Sequence, residues 1–375
     1  MSRERPLLSV IVPAYNGMKV LPRCLEALRA SDLPRPFWEL IVVDDASTDE
    51  TASLAAGYAD TVVRLSRRPH GPSYARNRGA EVARGEIVVF VDADVCVHPD
   101  TLSRFAWLFV DDPELAAAFG SYDANPPATG LVSQYRNLLH HYVHQQSAGE
   151  AETFWAGCGA IRLDVFRAVG MYNEWQFSRP QVEDIELGHR LRDRGHRILL
   201  RPEIQATHLK RWTLLNVLAT DLKDRGVPWT RLLIQRGETI GARALNLRLR
   251  ERVCTALTWL ALLLAIGAAA FLEPWLLVPC GLLLSGVLAT NLPLYGFFKT
   301  QRGFAFALRV VPLHLAYYIL NGVSVGTALV LHHALGDPQP SASVQAFAER
   351  GVIKWPPVPR PVEGSPARPS AGGQE

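Results

Sequence analysis

Short runs of apolar, β-branched residues alternate with helically spaced ones over the first part of the chain. Leu8–Val12 reads as a buried strand, and Val20 to Ala30 carries Leu21, Cys24, Leu25 and Leu28 at helical spacing. Glu39–Val43, Thr61–Leu65 and Glu86–Val91 repeat the strand pattern. Thr48 to Ala59 and Ser73 to Ala83 repeat the helical one. Strands that are apolar throughout, alternating with helices, predict an α/β fold with a mostly parallel sheet covered on both faces. Such sheets bind ligands at the carboxyl ends of their strands. Polar residues gather there: Tyr15 and Asn16 after the first strand, Asp44 and Asp45 after the second, Asp92 and Asp94 after the fourth.

The second half changes character. Val253–Leu272 is a charge-free run of about 20 residues, the length that spans a bilayer's hydrocarbon core. Trp275–Phe298 is a second such run, and Leu308–Leu331 a third, interrupted by His314 and Asn321. Arg231, Arg236, Arg243, Arg248, Arg250 and Arg252 precede the first run, against Glu238 and Glu251. Lys299 and Arg302 lie between the second and third, Arg309 falls at the start of the third, and the Glu273–Pro274 turn carries no base. This bias predicts a cytosolic N-terminal part and, with three spans, a C-terminus outside. A re-entrant or interfacial third run would instead return the tail to the cytosol. Leu214 to Leu249 mixes Leu, Val and Trp229 with Arg and Lys, which suits helices on the membrane surface or helices packed on the preceding domain.

Composition adds little that the pattern lacks. Hydrophobic residues make up 48% and charged residues 20%, which excludes a disordered chain. A net charge of +3 gives no electrostatic footprint for nucleic acid. The five cysteines (Cys24, Cys96, Cys158, Cys254, Cys280) are scattered with no C-x-x-C, which fits a reducing compartment. Leu7 to Val12 is too short for the core of a secretory signal and breaks at Pro13.

Asp92 and Asp94 point the same way from an extended backbone. Two carboxylates so placed repel unless a cation lies between them, and a hard divalent ion bridging to a diphosphate suits them. A capping loop is the plainer use of such residues. Ser47 or Thr48 caps a helix as readily as it serves a ligand. Glu183-Asp184 at a helix start places charge favourably for the helix dipole, or places a base. His140, His141 and His144 share one helical face without an evident further zinc ligand.

Five segments then occur in order: Ser9-Val-Ile-Val-Pro-Ala-Tyr-Asn16, Val43-Asp-Asp-Ala-Ser-Thr-Asp49, Ala75-Arg-Asn-Arg-Gly79, Phe90-Val-Asp-Ala-Asp94 and Val182-Glu-Asp-Ile-Glu-Leu-Gly188. Together they resemble family 2 glycosyltransferases, over about residues 7–212. The resemblance implies a GT-A fold, a nucleotide-sugar donor, and Mn²⁺ or Mg²⁺ as cofactor. It puts Pro13, Tyr15 and Asp45 around the base, Arg76 and Asn77 along the nucleotide pocket, and Asp92 on the ribose and metal-diphosphate. Asp92, Asp94 and His208 would be the metal ligands and Asp184 the catalytic base of an inverting transfer. Gly157 and Gly159, in Trp155-Ala-Gly-Cys-Gly159, fall where the family has an acceptor-side loop, alongside Glu183 and Trp212. His208-Leu-Lys-Arg-Trp212 partly resembles the Q-x-x-R-W of processive synthases in the family, with His in place of Gln.

The organisation expected is therefore a GT-A domain over 1–212, an amphipathic basic segment over 213–252, about three spans within 253–332, and a disordered Pro-rich tail over 333–375. The function expected is an inner-membrane, multi-pass, inverting glycosyltransferase with its catalytic domain in the cytosol, acting on a lipid or lipid-linked glycan. A processive polysaccharide synthase and a non-catalytic membrane scaffold are the alternatives.

Overall fold

A computed structural model of the chain describes residues 5–237 and 249–336. Arg243, Arg248 and the Pro-rich tail beyond Gly336 lie outside these residues. One nine-stranded sheet organises the first two hundred residues, in the order β3-β2-β1-β4-β8-β6-β9-β5, with β7 on β9. The strands are β1 (Leu8–Ala14), β2 (Trp38–Asp44), β3 (Thr61–Arg64), β4 (Ile87–Val91), β5 (Val95–Val97), β6 (Leu115–Tyr122), β7 (Gly149–Glu150), β8 (Cys158–Arg162) and β9 (Arg197–His208). Helices α1 (Leu21–Arg29), α2 (Thr51–Ala56) and α3 (Pro72–Val82) join the first four strands. They stand where the apolar spacing predicts them, within a few residues at each end.

Strict alternation along these strands divides the core in two. Val10, Val12, Leu40, Val42, Val89 and Val91 pack on one face of the sheet, and Ile11, Ile41, Val43, Val88 and Phe90 on the other. Both faces are covered, by α1 and α4 (Thr101–Asp111) on the first side and by α3 and α7 (Glu183–Asp193) on the second. Strands β3, β2, β1 and β4 are parallel. Strand β8 then inserts antiparallel between β4 and β6, so the far half of the sheet is mixed.

Between β6 and β8 lies α5 (Leu131–Gln145), and α6 (Leu163–Ala168) follows β8. After β9 the chain forms α8 (Leu214–Ala219), a π-helical stretch Thr220–Gly226, and α9 (Val227–Gln235). This segment packs on the sheet domain: Leu232 is buried with Phe177 and Val182, and Asp221 pairs with Arg136 of α5. The four helices that follow are α10 (Leu249–Phe271), α11 (Leu277–Thr290), α12 (Leu292–Arg302) and α13 (Phe304–Leu335). Among the described residues α10 and α13 are each long and apolar enough to cross a membrane. The run expected to be a second span is bent by 61° at Asn291, between α11 and α12.

Candidate active site

The carboxyl edge of the parallel strands carries the site. Asp45, just past β2, is buried and accepts backbone N–H bonds from His70 (2.9 Å) and Gly71 (2.7 Å). Gly71 has φ +95°, and a Cβ there would stand 2.1 Å from the Ser178 carbonyl oxygen, so only glycine can give this amide to Asp45. Asn16, also at positive φ, accepts from the Thr48 amide at 2.9 Å and donates its own amide to Ser47 Oγ. That clasp joins the loops after β1 and β2 and leaves Tyr15 half exposed, next to the partly exposed Pro13. His70 stacks on Tyr74 at 4.5 Å and borders the same loops.

Arg76 sits beneath, buried on α3. Its Nη2 donates to Asp92 Oδ1 (2.6 Å) and its Nη1 to Glu183 Oε1 (3.0 Å). Glu183 Oε2 accepts the Gln181 amide at 2.7 Å, so this carboxylate is engaged on both oxygens. Asn77 is likewise committed, to Tyr172 through both its oxygen and its nitrogen and to Glu174. Arg76 thus faces the site, whereas Asn77 ties α3 to the 172–174 loop.

Asp184 opens α7 beside this pair. It accepts the amides of Ile185 (2.8 Å) and Ala156 (3.4 Å) and keeps part of its surface open. Burial, and then the charge of Glu183, push its carboxyl up to about 7, against the opposing pull of Arg76. A carboxylate poised there suits a general base at neutral pH.

Asp94 and His208 form the opposite wall. His208 Nε2 stands 3.5 Å from Asp94 Oδ2, and its Nδ1 meets Asn137 Oδ1 at 2.8 Å. Asn137 Nδ2 donates to Ser133 O, so its oxygen is turned to the histidine and Nδ1 carries the proton. The Nε2 lone pair therefore looks at a carboxylate, two donors that a shared cation would hold together. Tyr122 stacks flat on His208 at 4.3 Å and keeps the ring in plane.

Among the described residues no cluster of three or more His, Cys, Asp or Glu could hold a metal ion by itself. Asp92 is turned to Arg76, so the three expected ligands do not converge. Asp94 and His208 remain a pair, which fits Mg²⁺ or Mn²⁺ completed by substrate oxygens.

Other expected residues land elsewhere. Gly157 gives its carbonyl to the Asp92 amide at 3.3 Å and stays beside the site. Gly159 lies inside β8, paired with Phe90 and Phe119 in mid-sheet. Trp212 is buried, with Lys210 Nζ 4.2 Å above its ring and Arg136 and Arg225 about it. His140 and His144 join Trp155 and Tyr122 in an aromatic cluster, where burial holds both imidazoles neutral.

Residues 9–170 match the family described as Glycosyl transferase family 2. The chain carries a family 2 glycosyltransferase domain. TarS of Staphylococcus aureus, a poly(ribitol-phosphate) β-N-acetylglucosaminyltransferase, is 38% identical over 108 residues, 28% of this chain and 19% of that protein. Glycosyltransferase AglE of Haloferax volcanii is 32% identical over 108 residues, 28% of this chain and 36% of its own. The matches thus span well under half the length of these relatives. The mannosyltransferase PcManGT of Pyrobaculum calidifontis, solved with GDP-Man and Mn²⁺, superposes over 86% of this chain and 87% of its own, with a TM-score of 0.51 at 23% identity. The fold is GT-A.

Three residues of this family 2 domain's site went unread in the sequence. His70 and Tyr74 carry no motif. Arg225 lies in the basic segment beyond the domain, where regular Arg and Lys spacing hides a charge that pairs with Asp221 at 3.8 Å and lies over the Trp212 ring. A basic residue inside a helix that must pack on the domain is the one signal that marks it.

Proposed function

We propose that the protein is a membrane-bound, metal-dependent, inverting glycosyltransferase that moves a sugar from a nucleotide donor to a lipid or lipid-linked acceptor on the cytosolic membrane face. The observation that carries this reading is Asp184, poised near neutrality at a helix start and linked through Glu183 and Arg76 to Asp92. Its carboxylate takes the proton of the acceptor hydroxyl. The acceptor oxygen then bonds to the anomeric carbon as the bond to the diphosphate oxygen breaks, which inverts that centre.

Asp94 and His208 are the residues that would hold a divalent ion. When bound, such an ion stabilises the leaving diphosphate as a Lewis acid. Lys210 and Arg225 add positive charge near Asp94 and Asp184. Pro13, Tyr15 and Asp45 border the space for the base, and Arg76 orients Asp92 toward the ribose. The bound GDP-Man and Mn²⁺ of PcManGT support a nucleotide-sugar donor and a metal. TarS supports an acceptor of cell-envelope type by its name. The Arg-rich approach to α10, against the base-free turn at Glu273, supports the cytosolic orientation.

The test is a donor screen. Detergent-purified full chain with Mn²⁺ is offered UDP-, GDP-, dTDP- and CMP-sugars, with free nucleotide and thermal shift as readouts. One responding donor, lost in Asp94→Asn, is expected. Silence from every donor with folded protein counts against the transferase and for the scaffold.

A further inference from the structure

Both ends of α13 are held by the catalytic half of the chain. Arg302, two residues before the helix, donates to Gln134 Oε1 and to the Ala124 carbonyl, both at 2.7 Å. At the far end the Gly336 carbonyl accepts from Arg231 of α9 at 2.6 Å. Helix α9 is itself fastened to the domain, by Leu232 against Phe177 and Val182 and by paired bonds from Arg236 to Asp193. Contact continues between the ends. Ala307 and Val310 pack with Tyr135 and Leu138 of α5, and Ser324 fills the space over Gly226.

The buried residues of α13 recur along one stripe: Ala307, Val310, His314, Tyr318, Ser324 and Ala328. Leu308, Pro312, Val323 and Val330 occupy the opposite face, exposed and apolar. Its 32 residues make a rod of about 48 Å, against a hydrocarbon core of about 30 Å. A rod crossing that core delivers its ends to opposite sides. Here both ends are bonded to one globular domain.

We propose that α13 lies in the plane of the membrane surface, with the Leu308–Val330 stripe in lipid, and that the α10–α11 hairpin is the part that enters the bilayer. The chain then leaves Gly336 on the catalytic side. Hairpin geometry agrees: α10 and α11 pack along each other, α10 meets α13 mid-way where Trp259 Nε1 donates to the Ile319 carbonyl, and the tip exposes Phe271, Leu272 and Trp275. From Pro274 to Thr290 the returning arm is about 25 Å at helical rise, short of a full crossing before the bend at Asn291. The exposed Leu308, Pro312, Val323 and Val330 give the rod an apolar side to set against lipid along its length. Length and composition permit α13 to span; its contacts do not.

Full-length protein in sealed vesicles tests this, in a Cys96→Ser background. A membrane-impermeant maleimide is applied to Glu50→Cys, Phe304→Cys and Leu335→Cys, all at surface positions. Phe304→Cys and Leu335→Cys are expected to label from the same side as Glu50→Cys. Labelling of either from the opposite side alone overturns the proposal. Nitroxides at Leu308, Val323 and Val330 give an independent reading: equal, shallow depths are expected, and a depth maximum at Val323 indicates a span. Neither measurement uses turnover, so its outcome is separate from that of the donor screen.

Discussion

Asn137 Oδ1 stands 2.8 Å from His208 Nδ1 and commits the second ring nitrogen to Asp94, 3.5 Å away. The asparagine thereby chooses the tautomer that can ligate a metal. Partners of this kind are worth about 10- to 100-fold in metal affinity. Asn137→Ala should raise the Mn²⁺ concentration needed for half-maximal activity by about that factor, and His208→Ala by more. EDTA should abolish transfer and Mn²⁺ or Mg²⁺ restore it. Full activity in chelator would remove the metal from the reaction.

Asp184 should act only when ionised. With its carboxyl near 7, turnover should climb with pH across neutrality and level off above it. Asp184→Asn should keep nucleotide binding and lose about 10²- to 10⁴-fold in kcat. The stability sign runs the other way. A carboxyl raised on folding binds its proton more tightly in the native state, so the stability it contributes is present below pH 4 and is lost as pH rises toward 7. The asparagine variant should therefore melt no lower than the parent at pH 8, and a lower melting point there would contradict the burial argument.

Among the described residues Arg76 is the one cation bonded to both Asp92 and the buried Glu183. Arg76→Met should cost about 3–5 kcal/mol by leaving Glu183 buried and unpaired. Adding Glu183→Gln should recover part of that loss. Denaturant unfolding of both variants measures it, and equal stability of the single and double variants would show that the pair is not coupled.

Gly159 faces the Trp155 carbonyl oxygen, which a Cβ would meet at 2.3 Å, and the Phe154 ring at 2.7 Å. Gly159→Ala should destabilise by about 1–3 kcal/mol through overpacking. An unchanged melting point with a raised acceptor KM would return this glycine to the acceptor side.

The first four strands, their three helices and the acidic residues at the strand ends were legible in the chain itself. Periods of two and near four arise from the backbone, so a short window shows them. Asp44, Asp45, Asp92 and Asp94 could be placed because a strand's end is a local feature. Other parts rest on pairs far apart in sequence. Arg76 meets Glu183 across 107 residues, and His208 meets Asn137 across 71. These contacts set Asp92 against Arg76 and hold Glu183 in a buried ion pair. They also put Gly159 inside the sheet, where a glycine-rich stretch reads equally as a loop.

The helical half divides in the same way. Apolar run length alone identified α10 and α13 as able to meet lipid, because transfer from water depends on composition and not on neighbours. Whether a run crosses the bilayer or lies along it depends on what holds its ends. For α13 those holds are Arg302 on Gln134 and Arg231 on Gly336, contacts that exist only once α5 and α9 have packed on the sheet. By itself the sequence determined the alternation, the carboxylates and the lipid-compatible segments, since each is written in adjacent residues. The tertiary structure decided which carboxylates face one another and how the last helix sits, since those are relations between surfaces that form only on folding.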